Sequence, residues 1–86
     1  MKLHVDHSIQ IILRNLIAKI TRCRLERIRP LSSLRDDLGI DSFTGLEILV
    51  AIEKHFGIQI PESQTTELET FEDLVNLVVQ HLNKKS

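Results

Sequence analysis

The sequence predicts an all-α fold: a four-helix bundle of three main helices and a short third one, with a long loop between helices 1 and 2. Three observations carry that prediction. Apolar residues recur at helical spacing in three separate stretches. Gly and Pro together number only five in 86 residues, and 42% of the chain is hydrophobic. Aromatic side chains are scarce, with Phe43, Phe56 and Phe71 but no Trp or Tyr. A chain of this length has room for one core, so residues 1–86 are expected to form a single domain.

Helix 1 follows from Ile9, Ile12, Leu13, Leu16, Ile17 and Ile20, which form one apolar stripe at i, i+3, i+4, i+7, i+8 and i+11. Asp6 or Ser8 can cap its start by accepting from its unpaired first-turn amides. Residues 22–41 lose the period. Pro30 forbids a helix interior, and Ser32, Ser33 and Gly39 are turn residues. This stretch is expected to be a long loop with a short turn at 32–37, from which Leu31, Leu34, Leu38 and Ile40 tuck inward. A loop this long in a small domain is often functional.

Helix 2 starts at Asp41 or Ser42 and runs to about Phe56, where Gly57 supplies a left-handed cap. Ile58 and Ile60 form an extended pair before Pro61. Residues 62–69 hold few apolar anchors and make at best a short helix. Thr70, with Asp73 three residues on, is a variant capping box for the last helix, whose stripe is Phe71, Leu74, Val75, Val78 and Leu82. The expected interior is Ile9, Leu13, Leu16, Ile20, Ile48, Leu49, Ile52, Phe56, Leu74, Val75 and Val78, a yielding aliphatic core not locked by aromatics.

Net charge is −1, but it is split along the chain. Residues 1–35 carry eight Lys/Arg against Asp6 and Glu26, a net of +6. Residues 36–83 carry ten Asp/Glu against Lys54, a net of −9. Nucleic-acid binders concentrate basic charge, and exposed aromatics are needed to stack single strands. Neither holds here, so nucleic acid is not expected; the acidic block points to basic protein partners, or the two halves are a solvated surface that partly neutralises itself. A single cysteine, Cys23, excludes an internal disulfide. No run of residues suits stable membrane insertion, and the opening MKLHVDHS has no signal-peptide core. The expected location is cytoplasmic.

The informative segment is Asp36-Asp37-Leu38-Gly39-Ile40-Asp41-Ser42-Phe43. Gly39 permits a tight bend, and Asp41 is a good N-cap. The Ser42 hydroxyl then lies over the free amides and positive end of helix 2, where a phosphate ester is favoured. By itself an Asp-Ser pair is an ordinary cap. The surrounding pattern adds more, because this run resembles the prosthetic-group attachment motif of the acyl carrier proteins. The resemblance continues through Glu47-Ile48-Leu49-Val50-Ala51-Ile52-Glu53 and Phe56-Gly57-Ile58-Gln59-Ile60-Pro61. It closes at Thr70-Phe71-Glu72-Asp73-Leu74-Val75 and so spans roughly residues 34–82.

The resemblance implies a single acyl carrier domain over residues 1–86, not an enzyme. It implies 4′-phosphopantetheine, taken from coenzyme A by a phosphopantetheinyl transferase and attached covalently to Ser42, with Asp41 as motif residue and helix cap. Acyl groups held on the arm as thioesters pass to acyl-activating, condensing and acyl-transfer enzymes of fatty-acid, polyketide or related biosynthesis. These partners are expected to present basic docking surfaces to a monomeric carrier. Phe43, Leu46 and Val50 recur at i, i+3 and i+7 on a second face of helix 2 beside Ser42; either they only widen the buried face, or they are apolar contact residues with Glu47, Glu53, Asp36 and Asp37 as steering acids. Two alternatives stand beside this reading: a peptidyl or aminoacyl carrier, and a carrier-like interaction module without a prosthetic group. Phe43 in place of the common Leu, Thr44 where an acid is frequent, and the arginines of 22–35 all bear on the choice of partner.

Other chemistry-bearing residues have simpler readings. His4 and His7 lack further ligands nearby and are expected at the surface, so no metal site is expected. His55 and His81 complement helix C-termini. Cys23 has no neighbouring base to activate it. No constellation supports catalysis by the chain itself.

Overall fold

The computed structural model describes residues 6–85, with the backbone alone at Asp6 and Lys85. Four α-helices follow in order: α1 (Asp6–Thr21), α2 (Ser42–Phe56), α3 (Glu62–Thr65) and α4 (Phe71–Lys85). A 3₁₀ turn at Leu25–Arg27 interrupts the long α1–α2 loop, and there is no β-strand among the described residues. This is the predicted all-α bundle with its short third helix. Ser8 lies inside α1 instead of capping it. The capping role of Asp6, like the position of His4, lies outside the described residues.

α1 packs against both α2 and α4. Its stripe rotates slightly from the expected one. Ile9, Leu13 and Ile17 are fully buried, while Leu16 and Ile20 flank the core half-buried. Ile48 and Ile52 of α2 and Leu74, Val75, Val78 and Leu82 of α4 complete the centre, whereas Leu49 and Phe56 sit at its margin. The core also takes in loop residues, namely Ile28, Leu38, Ile58 and Ile60. An aromatic does lock it: Phe71 is among the largest side chains fully removed from solvent. That corrects the expectation of a core not locked by aromatics, and the cause is visible in the loop that covers the start of α4.

The loop is strapped to α4 through its backbone. Phe71 N–H donates to Ser32 O at 3.0 Å and Glu72 N–H to Pro30 O at 2.9 Å. Asp73 N–H donates to the Thr70 hydroxyl at 3.2 Å and Leu74 N–H to Thr70 O at 3.3 Å. The Leu74 bond is the first helical one, and the amides of Phe71, Glu72 and Asp73, three of those a helix leaves unpaired at its start, are all satisfied. The Asp73 carboxylate reaches back to accept from Thr70 N–H at 3.1 Å and Glu69 N–H at 3.0 Å, completing the capping box. Leu34 N–H adds a bond to Glu69 O at 2.8 Å.

Inside the loop the buried Ser32 hydroxyl donates to Arg27 O at 2.7 Å and accepts from Arg29 N–H at 2.9 Å. Arg14 holds the 3₁₀ turn against α1 through Nη2 to Leu25 O at 2.9 Å. Turns cover residues 30–31 and 34–38, in place of the single turn expected at 32–37. Gly39, at φ 65°, reverses the chain so that Ile40 N–H meets Leu34 O at 2.9 Å. Leu38 tucks in and Leu34 and Ile40 do so partly, but Leu31 points outward and is 77% exposed. Among the described residues no helix is long and apolar enough to cross a membrane.

Candidate functional site

The loop ends by delivering Asp41 to the start of α2. Asp41 is extended (φ −95°, ψ −173°), and its carboxylate accepts from Thr44 N–H at 2.8 Å. Its carbonyl accepts the first helical bond, from Gly45 N–H, also at 2.8 Å. The Thr44 backbone N–H, with the Thr44 hydroxyl, holds the Asp41 carboxyl below its ordinary range. Asp41 is therefore a fully ionised cap at neutral pH. Thr44 was not marked by the sequence as part of this cap, although it occupies the N3 position that a capping side chain addresses.

Ser42 is the first residue of α2 and is exposed, and its hydroxyl has no hydrogen-bond partner among the described residues. The first turn of α2 contains no acid, and the Asp41 carboxylate caps it, so the positive end of the helix lies at this hydroxyl. A phosphodiester on Oγ meets open solvent on one side and the helix dipole on the other. The residues present therefore fit a covalent phosphate-linked group. They do not fit a nucleophile activated by its own chain. A carboxylate neighbour committed to a backbone amide is no general base, and among the described residues no histidine is hydrogen-bonded to Ser42.

Phe43, Leu46 and Val50 run along α2 away from Ser42 and are 72%, 47% and 51% exposed. They do not widen the buried face. Glu47 on α2 and Asp36 and Asp37 in the preceding loop are exposed. The Asp37 carboxylate accepts from Ser33 N–H at 2.7 Å, and the Asp36 N–H donates to the Ser33 hydroxyl at 3.0 Å. Glu53 differs from expectation. It is half-buried, and its Oε2 accepts from Ile60 N–H at 2.9 Å. That bond holds the buried Ile58–Ile60 segment against α2, so Glu53 acts as a clamp and not as a free steering charge. Only its sequence distance from Ile60 concealed this.

The remaining candidates fall elsewhere. His81 Nε2 lies 2.7 Å from Gln64 Oε1 and ties α4 to α3, in place of the dipole role expected of it. His55 is in the last turn of α2, edge-on to Phe56. Cys23 is half-buried against the core, with the Thr21 hydroxyl 3.1 Å from Sγ. The described residues contain no cluster of three or more His, Cys, Asp or Glu able to hold a metal ion. Two open clefts, one between α3 and α4 and one along the α1–α2 loop, are not lined by Ser42.

Comparison with known proteins agrees with this geometry. The family pattern described as the phosphopantetheine attachment site matches residues 12–78. An acyl carrier protein of Streptomyces coelicolor is 41% identical over 71 residues, covering 81% of this chain and 73% of that protein. One from Thermobifida fusca is 36% identical over 66 residues, 77% of this chain and 84% of that protein. One from Rickettsia bellii is 36% identical over 58 residues, 67% of each.

Proposed function

The chain belongs to the acyl carrier protein family, whose members carry 4′-phosphopantetheine covalently, and on that premise we propose that Ser42 is the attachment residue. The observation that carries the proposal is the unpartnered, exposed Ser42 hydroxyl at the capped start of α2. The prosthetic group supplies a thiol on a long arm, on which acyl groups travel as thioesters. In loading, a separate transferase would take the Ser42 hydroxyl proton while Oγ bonds to the pantetheine-side phosphorus of coenzyme A and the pyrophosphate linkage breaks, releasing adenosine 3′,5′-bisphosphate. Asp41 keeps α2 begun at Ser42, so that the hydroxyl is presented at a fixed point in space.

The same reading makes the chain a cytoplasmic, monomeric carrier and not an enzyme. It delivers acyl groups to enzymes of fatty-acid, polyketide or related biosynthesis. Phe43, Leu46 and Val50 are the apolar contacts for those enzymes, with Glu47, Asp36 and Asp37 steering basic docking surfaces toward the arm. The acyl group is the expected cargo, as the names of the relatives indicate.

Intact mass after incubation with a phosphopantetheinyl transferase and coenzyme A tests the assignment. The chain should gain one phosphopantetheine, and Ser42→Ala should gain none while melting at the same temperature. Modification of another serine, or none in the unaltered chain, refutes it.

A further inference from the structure

The α1–α2 loop carries a surface that the carrier reading does not use. Arg22, Arg24, Arg27, Arg29 and Arg35 are all exposed. Among the described residues no carboxylate stands within ion-pair distance of any of them. Arg27 and Arg29 are nonetheless placed, through Nη2 to Asp37 O and Nε to Glu26 O, each at 3.2 Å. These bonds go to backbone carbonyls and leave the guanidinium charge uncompensated. Leu31 and Leu25 stand among the arginines, 77% and 41% exposed. An open cleft of about 470 Å³ runs beside Leu31, walled by Arg27, Arg29, Ser32, Glu26 and Asp37.

We propose that this loop is a second docking surface, opposite in charge to the acids that flank the start of α2, for an acidic protein segment that presents an apolar side chain between carboxylates. Arginine forks pair bidentately with carboxylates. The apolar side chain covers Leu31 at the cleft, and flanking acids take the arginines. A discrete segment fits better than an extended polyanion. Glu26 and Asp37 already wall the cleft and the loop runs on into Asp36 and Asp41, so only a short segment that confines its carboxylates to the arginines avoids the repulsion met by a polyanion continuing past them. The loop is held by its own backbone bonds, so the surface is set before a partner arrives. A carrier with two faces of opposite sign can be held by one protein while a basic partner approaches Ser42.

Fluorescence anisotropy on the full chain tests this with a dye-labelled peptide of repeated Glu-Glu-Leu-Glu. The peptide should bind at low salt and weaken steeply as salt rises toward about 1 M, where screening is nearly complete. Arg29→Glu with Leu31→Asp should weaken binding about tenfold or more, while Glu47→Lys does not weaken it. The milder pair Arg29→Gln and Leu31→Ser serves if the first variant melts lower than the parent chain. Since Ser42 takes no part, Ser42→Ala should bind the peptide normally whether or not it is the attachment residue. The proposal is overturned by any of three results: no binding, equal binding of a Glu-Gly peptide lacking leucine, or tighter binding of a single-stranded oligonucleotide or a phosphatidylglycerol vesicle.

Discussion

Gly45 is the fourth residue of α2, three places after Ser42, and no left-handed conformation requires a glycine there. A Cβ built at Gly45 meets only Ile40 Cγ2, at 3.7 Å, an ordinary van der Waals distance. Replacing Gly by Ala inside a helix gains about 0.8–1.0 kcal/mol of propensity. Gly45 donates the first full helical bond, to Asp41 O, so it feels less than the full interior value. The contact with Ile40 adds a few tenths, from about 0.8 kcal/mol per buried methylene at partial burial. Gly45→Ala should therefore stabilise the domain by about 0.5–1 kcal/mol, a rise in melting temperature of about 2–8 °C at this size. Circular dichroism melts and urea titrations measure it directly. A loss of stability would refute the reasoning, because it requires that Ile40 cannot accommodate one methyl group.

Phe71→Ala should cost about 3–5 kcal/mol, a large share of the about 5–15 kcal/mol available to a domain. A urea midpoint near that of the parent chain would contradict the central place given to this ring. Asp41 and Asp73 both have carboxyls held below their ordinary value of 3.8, Asp41 chiefly by Thr44 N–H and Asp73 by Thr70 and Glu69 N–H. Their contribution is complete above the unfolded-state value and is lost as pH falls through the lower folded-state values. The double variant Asp41→Asn, Asp73→Asn should thus flatten the decline of melting temperature below about pH 4, and an unchanged acid decline refutes the capping account. Val50→Asp and Glu47→Lys should leave the melt nearly unchanged but slow acyl transfer in a coupled assay. The Glu47 effect should fade as salt rises, whereas unfolding of Val50→Asp would show that the strip is core.

The long α-helices, the Asp41 and Gly57 caps and the Thr70–Asp73 box were legible because each is local. Periodicity and capping depend on residues within four positions, and the structure realises them at Asp41, where Thr44 N–H is the donor, and at Gly57, with φ 67°. The motif around Ser42 was legible for the same reason, as a contiguous run. The missed features all join distant parts of the chain. Ile28 becomes core, and Phe71 loses all its exposure, because the loop lies over the start of α4, a contact spanning some forty residues that no spacing rule encodes. Glu53 reads as one more surface acid until the Ile60 amide is brought to it. The outward turn of Leu31 has the same origin, since the carbonyls of Pro30 and Ser32 are claimed by α4.

That last grip is made by main-chain atoms. Any amino acid supplies a carbonyl oxygen, so α4 remains capped whatever side chains project from the strap, provided Ser32 keeps its buried hydroxyl bonds to Arg27 and Arg29. The outward lettering at Arg29, Leu31 and Arg35 is thereby uncoupled from the grammar that folds the domain. Two carriers sharing this scaffold can differ at every one of those positions and still start α2 at the same serine. Such a strap is a place where one protein can acquire a new acquaintance without renegotiating its old chemistry.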